Sequence, residues 1–418
     1  MEVIIARKET KIQNSDRISN LPDPILIDIL SILPDARNAA QTCILSKRWR
    51  NLWTFIPSLS FRFYDFTERE ERFNNFVNSF LRLRDNASNV HKFDLYYSVP
   101  FITKFPGCLF WFWEWIMYAF DHKVKNLVLH FWGRPVQFFP KDRQFHCGTL
   151  EDMHLNGLFV INADHVCLPK LRKLSFVDVT WCRDSIEKLL SGCPALVILS
   201  MHHSKIHMNS ITFGTIKSLT MESCTFGSLQ SGCTISAPHV EYLELVGDCG
   251  YMIIFDDMTR VNKAIIIEPE WPERTTYNLD LIRAISGVQS LKLTSICLKE
   301  LLDREWQNCH RFNHLKHLIL GFCCQRWDFS TLYSFLKHCP NLENLCLLHE
   351  QILCEEEPCH KKNSEITQQY EGFMWPHLKV VKIDCRGPYQ QSCMRQLEEL
   401  ALQWTKEIEG IQIILPLS

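Results

Sequence analysis

Cys354, Cys359 and His360 are the densest metal-type group in the chain, with Glu355, Glu356 and Glu357 between them. Thiolates and an imidazole at such spacing begin a zinc site, but zinc needs four well-placed ligands. No paired second half follows, so the group reads as a polar loop. His202, His203 and His207 follow a strand pattern and read as surface residues. Cys323 and Cys324 also follow one and read as core packing. The chain has no H-E-x-x-H, no G-x-S-x-G and no glycine-rich phosphate loop, with only 15 glycines in all. No Cys/His arrangement marks a nucleophile. The expectation is a binding protein with no catalytic residue, no metal and no cofactor.

The binding residues are expected first near the start, between Asp16 and Pro57. Pro24 suits the first position of a helix and Asp23 suits its N-cap. Leu26, Ile29, Leu30 and Leu33 then fall at i, i+3, i+4 and i+7, one helix face. Ile25, Ile27 and Ile32 load its flanks. Pro34 disfavours helical geometry at Leu33 and ends the helix. Asp35 caps a second helical pattern through Ala36, Ala39, Ala40 and Cys43. Ser46 opens a third with Trp49, Leu52 and Trp53, closed by Pro57. About forty residues cannot bury so much apolar surface alone. By pattern alone this is either a helical subdomain packed on the rest of the chain or a segment built to dock on another protein.

Composition sets the frame. A chain of 418 residues exceeds a single core. Its hydrophobic content of 46% and aromatic content of 12% imply a folded protein. A formal charge of -2 gives no general attraction to nucleic acid. The nineteen cysteines lack the spacing of a disulfide scaffold. Met1 to Gln13 is charged and has no signal-peptide core. Reduced thiols in the nucleus and/or cytoplasm are expected. The run from Gly107 to Phe120 is the most apolar, yet it is too short to span a bilayer and contains Glu114. A buried helix is expected there, and no membrane.

A repeat organises the remainder. Leu189-Leu190 before Cys193-Pro194 and Leu196-x-x-Leu199-x-Met201 matches Phe335-Leu336 before Cys339-Pro340 and Leu342-x-x-Leu345-x-Leu347. A third copy runs from Ala284-Ile285-Ser286-Gly287 into Val288-x-x-Leu291-x-Leu293; looser copies start at Val124, Leu150, Leu171, Ile216, Val240, Leu315 and Leu378, and further ones at Val90 and Val261. The alternating end of L-x-x-L-x-L is strand behaviour with its apolar side inward. The longer return shows helical spacing at Ile186, Leu189 and Leu190. Such units bury their apolar faces only by stacking. Ahead of them Phe73, Phe76, Val77, Phe80 and Leu81 form a helical stripe. Glu350 to Gly372 reads as a polar insert. A helix pattern around Met394, Leu397 and Leu400, then Ile411 to Ile414, ends the chain and covers the last sheet edge.

Leu45-Ser46-Lys47-Arg48-Trp49-Arg50-Asn51-Leu52-Trp53, with Leu21-Pro22 ahead of it, resembles the plant form of the F-box. The repeats resemble the leucine-rich repeats found behind F-boxes, and the C-terminal segment faintly resembles the FBD region. The resemblance implies an α/β chain: a small all-α three-helix F-box, then an irregular leucine-rich-repeat solenoid with a parallel concave β-sheet. Expected boundaries are 1–15 for a flexible N-terminus, 16–58 for the F-box and 59–123 for a helical linker and cap. Repeats then fill 124–374, and 375–418 forms a C-terminal cap.

The resemblance further implies a Skp1-like adaptor, and through it a cullin, bound by Leu21, Pro22, Leu26, Ile29, Leu30, Leu45, Trp49, Leu52 and Trp53. Some of these must pack inside the segment, and sequence does not sort them. Lys47, Arg48 and Arg50 either meet acidic groups on the adaptor or solvate a helix face. An unknown protein target is expected on the concave face, at Lys173, Ser175, Ile198, Ser200, Thr220, Tyr242, Glu244, Lys292, His317, Asn344 and Lys382. The implied function is the non-catalytic substrate receptor of a Skp1–cullin–F-box ubiquitin ligase. The alternatives are an adaptor-binding scaffold that delivers no target and a small-molecule-dependent receptor.

Overall fold

Pro34 acts as its place in the pattern requires: Leu33 before it is extended, at φ −61° and ψ 143°, and helix α1 (Asp23–Ile32) stops there. In this computed structural model the described residues are 18, 20–66, 69–98, 108–138, 145–161, 166–181, 185–226, 233–247, 253–256, 258–267, 279–294, 311–322, 332, 335–350, 375–386 and 412–414. The expected polar insert after Glu350, its Cys354/Cys359/His360 group, Cys323-Cys324 and the helix pattern around Met394 lie outside them. The chain divides into two compact units, Met1–Leu129 and His130–Ser418.

In the first unit, Pro22 rather than Asp23 occupies the N-cap of α1, and no side chain caps the helix. The Asp23 carboxylate instead accepts from Arg48 Nε at 2.9 Å. Asp35 does cap α2 (Ala36–Gln41), accepting the Arg37 N–H. That helix tightens into a 3-10 turn at Thr42–Ile44. The third helical pattern is a turn followed by a 3-10 helix at Leu52–Phe55, so Ser46 caps nothing. Trp49 and Leu52, both buried, are three residues apart, a spacing that one tight turn satisfies.

Strand β1 (Ser58–Arg62) pairs in parallel with β2 (Lys92–Ser98), Leu59 against Phe93 and Phe61 against Leu95. Helix α3 (Glu70–Leu83) lies between them in sequence and buries Phe73, Val77, Phe80 and Leu81. The stretch expected as a helical linker and cap is thus already a strand–helix–strand unit. Its core is aromatic: Phe61 lies edge-on to Phe80 at 5.4 Å, and Trp115 of α4 (Cys108–Asp121) edge-on to Phe73 at 5.6 Å. The Trp115 indole N–H donates to Asn78 Oδ1 at 2.8 Å, which lets so large a ring be buried. No helix of the described residues is long and apolar enough to cross a membrane.

The second unit is a ladder of short parallel strands. Lys173–Val177, Ile198–His202, Ser218–Glu222, Tyr242–Val246, Lys263–Ile267 and Ser290–Thr294 pair in succession. The ladder continues through His317–Phe322, Asn344–Glu350, Val380–Arg386 and Gln412–Ile414. In register, Leu174, Leu199, Leu219, Leu243, Ala264, Leu291, Leu318, Leu345 and Val381 form one buried column. Each buried leucine contributes about 1.5–3 kcal/mol. Cys193 and Cys339 are buried at the matching place in two repeats.

The return path depends on repeat length. Lys173 and its partner Ile198 are 25 residues apart, and α5 (Ser185–Gly192) fills the return. Lys263 and Ser290, 27 apart, hold α6 (Leu279–Ala284). Ile198 and Ser218 are only 20 apart, and there the return is strand. Lys205–Ile206 pairs with Thr225–Phe226, and Ser210–Thr212 with Cys233–Ser236. Extended chain covers about 3.3 Å per residue against 1.5 Å for helix, so a short repeat spans the same return only as strand. After four successive ladder strands Asp178, His203, Ser223 and Gly247 take φ of 59°, 49°, 48° and 81°. This left-handed step turns the chain off the sheet.

Candidate functional site

The first unit sorts the nine residues expected to bind an adaptor. Leu26, Leu30, Trp49 and Leu52 are buried within it, so they shape the segment from inside. Leu21 and Trp53 are half-buried, Pro22 is exposed, and Ile29 and Leu45 are exposed at 39% and 63%. Trp53 leans on Phe80 with ring centroids 4.7 Å apart and donates its indole N–H to the Arg50 carbonyl at 3.0 Å. Sequence pattern did not single out the most exposed apolar residues. Ile32 and Ile44 are exposed at 82% and 84%.

Ile25, Ile29 and Ile32 are spaced i, i+4 and i+7, so they form one stripe along α1, beside the buried Leu26/Leu30 face. Apolar residues on both faces of a ten-residue helix were the available signal. Of the basic cluster, Arg48 is held by Asp23 and the Leu21 carbonyl, fixing the start of α1 to the turn before Trp49. Lys47 and Arg50 are exposed.

The second unit brings the expected concave residues into rows. Lys173, Ile198, Ser218, Tyr242, Lys263, Ser290, His317, Asn344 and Val380 share the first position of their strands. Ser175, Ser200, Thr220, Glu244, Ile265, Lys292, Ile319, Cys346 and Lys382 share the third. All of these are exposed or half-buried, whereas the second and fourth positions are buried. Side chains alternate across a strand, so both rows lie on one face.

Local chemistry on that face is mild. His202 Nδ1 and Glu222 Oε2 are 2.7 Å apart. The Tyr242 hydroxyl donates to Glu244 at 2.7 Å; burial and then that carboxylate push its pKa up to about 12. His130 is 5.4 Å from His154, ring to ring, and burial followed by that neighbour lowers its pKa to about 4. Burial, then the neighbouring His202 and Lys173, also lower the pKa of His154. Asn344 Nδ2 lies 3.0 Å from His317 Nδ1. Along the rim, Glu343 is held between Lys379 and Lys316, which lower its pKa by hydrogen bonding.

Burial pushes the Cys193 thiol up to about 12 and raises Cys339 further, so neither is a thiolate nucleophile. His203 is spent on a left-handed turn and His207 is exposed. Among the described residues no group of three or more His, Cys, Asp or Glu side chains is placed to hold a metal.

The leucine-rich-repeat domain family described as At1g61320/AtMIF1 matches residues 112–413. Among curated proteins, the chain is 28% identical to the FBD-associated F-box protein At4g13985 of Arabidopsis thaliana, over 79% of this chain and 76% of that one. It is 28% identical to the F-box/FBD/LRR-repeat protein At2g26030, over 80% and 79% of the two chains. It is 29% identical to the F-box/LRR-repeat protein At3g26922, over 69% of this chain and 92% of the relative, both again from Arabidopsis thaliana.

Proposed function

Since the chain belongs to the At1g61320/AtMIF1 leucine-rich-repeat family, as a plant F-box/LRR-repeat protein, we propose that it is the substrate-recognition subunit of a Skp1–cullin–F-box ubiquitin ligase. The observation that carries this reading is the stripe of Ile25, Ile29 and Ile32 left in water on a helix whose other face is buried. A partner that covers it gains about 25 cal/mol for each Å² of apolar area removed from water. A Skp1-like adaptor is that partner, with Leu45 and Pro22 also in the contact. Leu26, Leu30, Trp49 and Leu52 hold the segment in shape.

The concave rows bind a protein target, and no residue of this chain does chemistry. Catalysis is proximity: the receptor raises the effective concentration of a target lysine near a charged conjugating enzyme. Localisation in the nucleus and/or cytoplasm is part of the same proposal. Loss of the chain in a plant tests the receptor role. A specific protein should lose ubiquitin and accumulate. Accumulation of none, with adaptor binding intact, would instead support a scaffold that delivers no target.

A further inference from the structure

Charges on the concave face sort by position along the ladder. At the first, third and fifth places of the strands from Asp152 to Val246, the ionised side chains are Asp152, Lys173, Glu222 and Glu244. From Lys263 to Asp384 they are Lys263, Lys292, Lys382 and Asp384. One half is dominated by carboxylates and the other by ammonium groups.

Lys292 is the informative member. Lys382 shares its charge with Asp384 at 3.8 Å, and Lys263 lies over the Tyr242 ring at 5.5 Å. Lys292 has neither a carboxylate nor a ring beside it among the described residues. In register on its two sides stand Ile265 and Ile319, both half-buried. Two residues along its own strand, the buried Thr294 hydroxyl has no hydrogen-bond partner. A partner that covers the isoleucines must also cover the ammonium. Removing an unpaired charge from water is too costly for an apolar partner to offset. The occupant must therefore bring an anion to this point, in a setting whose low dielectric strengthens the pair.

We propose that the Lys263–Lys382 half of the concave face docks an unmodified acidic segment of the target protein, with an aspartate or glutamate over Lys292 and aliphatic side chains over Ile265 and Ile319. This rests on the receptor reading only in naming the occupant as a target. The carboxylate-rich half before it sets direction, because an acidic segment laid the wrong way meets Glu222 and Glu244.

A displayed library of random peptides panned against the intact full chain tests this, with adaptor binding scored on the same preparation. Enrichment of Asp and Glu flanked by Leu, Ile or Val is expected. Lys292→Glu should weaken the selected peptides at least about tenfold and enrich Lys and Arg in its own selection. Lys292→Met, which keeps the aliphatic stem, should weaken them about fivefold, and Lys173→Glu by less than about twofold; thermal melting checks that each variant is folded. No acidic enrichment, or equal binding by Lys292→Glu, overturns the proposal. So does a phosphoserine version of a selected peptide binding about tenfold tighter than its glutamate parent. Acidic selection without adaptor binding would leave this proposal standing and defeat only the receptor reading.

Discussion

The Arg84 guanidinium donates to the Ile56 carbonyl at 3.0 Å, tying the end of α3 to the last residues of the F-box segment. It also donates to the Ser88 and Asn89 carbonyls at 2.7 and 2.9 Å and is itself buried. Arg84→Met leaves three carbonyls without their donor, and each buried unsatisfied group costs about 1–3 kcal/mol. Urea unfolding of the full chain should show a loss of about 2–5 kcal/mol. Arg84→Lys should recover less than half, because an ammonium lacks the fork. A neutral Arg84→Met would show that the two segments are not joined through this side chain.

Gly157 lies at φ +130°, and a Cβ there would sit 1.8 Å from the Phe131 carbonyl oxygen. Gly157→Ala is expected to cost about 3 kcal/mol or more, from backbone strain and the clash together. Gly214 has nothing within 4 Å of such a Cβ and an ordinary φ. Gly214→Ala should be neutral or stabilising by up to about 1 kcal/mol. Thermal denaturation of both variants checks the contrast.

Asp35 sets an unusual pH dependence. Burial, and then the neighbouring Asp65 carboxylate, outweigh the Arg37 N–H and raise its carboxyl to about 6, from an ordinary value of 3.8. The folded form therefore holds the proton more tightly than the unfolded chain. This contribution is fully present below the unfolded pKa and is lost as pH rises through about 6. Asn caps a helix as well as Asp and does not titrate. Asp35→Asn should match the natural chain near pH 4 and exceed it by about 1–3 kcal/mol at pH 7. A stability difference that ignores pH would contradict this.

Much of the second unit was legible because the spacing inside each L-x-x-L-x-L copy is strict, although the repeats differ in length. The L-x-x-L-x-L copies place Leu174, Leu199, Leu219 and Leu243 in one column, and the strands pair with those residues in register. The copy at Val261 falls in place too, with Ala264 opposite Leu243 and Leu291. The concave rows follow from alternation alone. The returns were less legible: two-residue strands such as Lys205–Ile206 carry no period, and only neighbouring repeats fix them. Repeat length was the missed signal.

In the first unit, Pro34 and Asp35 acted as expected because proline sterics and capping are local. Which isoleucines of α1 stay in water was not legible. That depends on how Trp49 and Leu52 pack in the same unit, and sequence spacing does not record it. Strand β2 falls on the copy at Val90, with Phe93 and Leu95 buried, whereas β1 was hidden by the strong helical stripe of α3 that follows it.

The central claim is that the exposed stripe of α1 holds a Skp1-like adaptor, and one titration tests it directly. Adaptor binding to the full chain should be measured by calorimetry beside Ile29→Asp, Ile32→Asp and Leu30→Ala, with urea unfolding of each. Ile29→Asp and Ile32→Asp are expected to abolish measurable binding while changing stability by less than about 0.5 kcal/mol, as exposed substitutions do. Leu30→Ala should cost about 2–5 kcal/mol of stability, as a buried leucine does. Adaptor affinity unchanged by both isoleucine substitutions, or no affinity in the intact folded chain, would contradict the account.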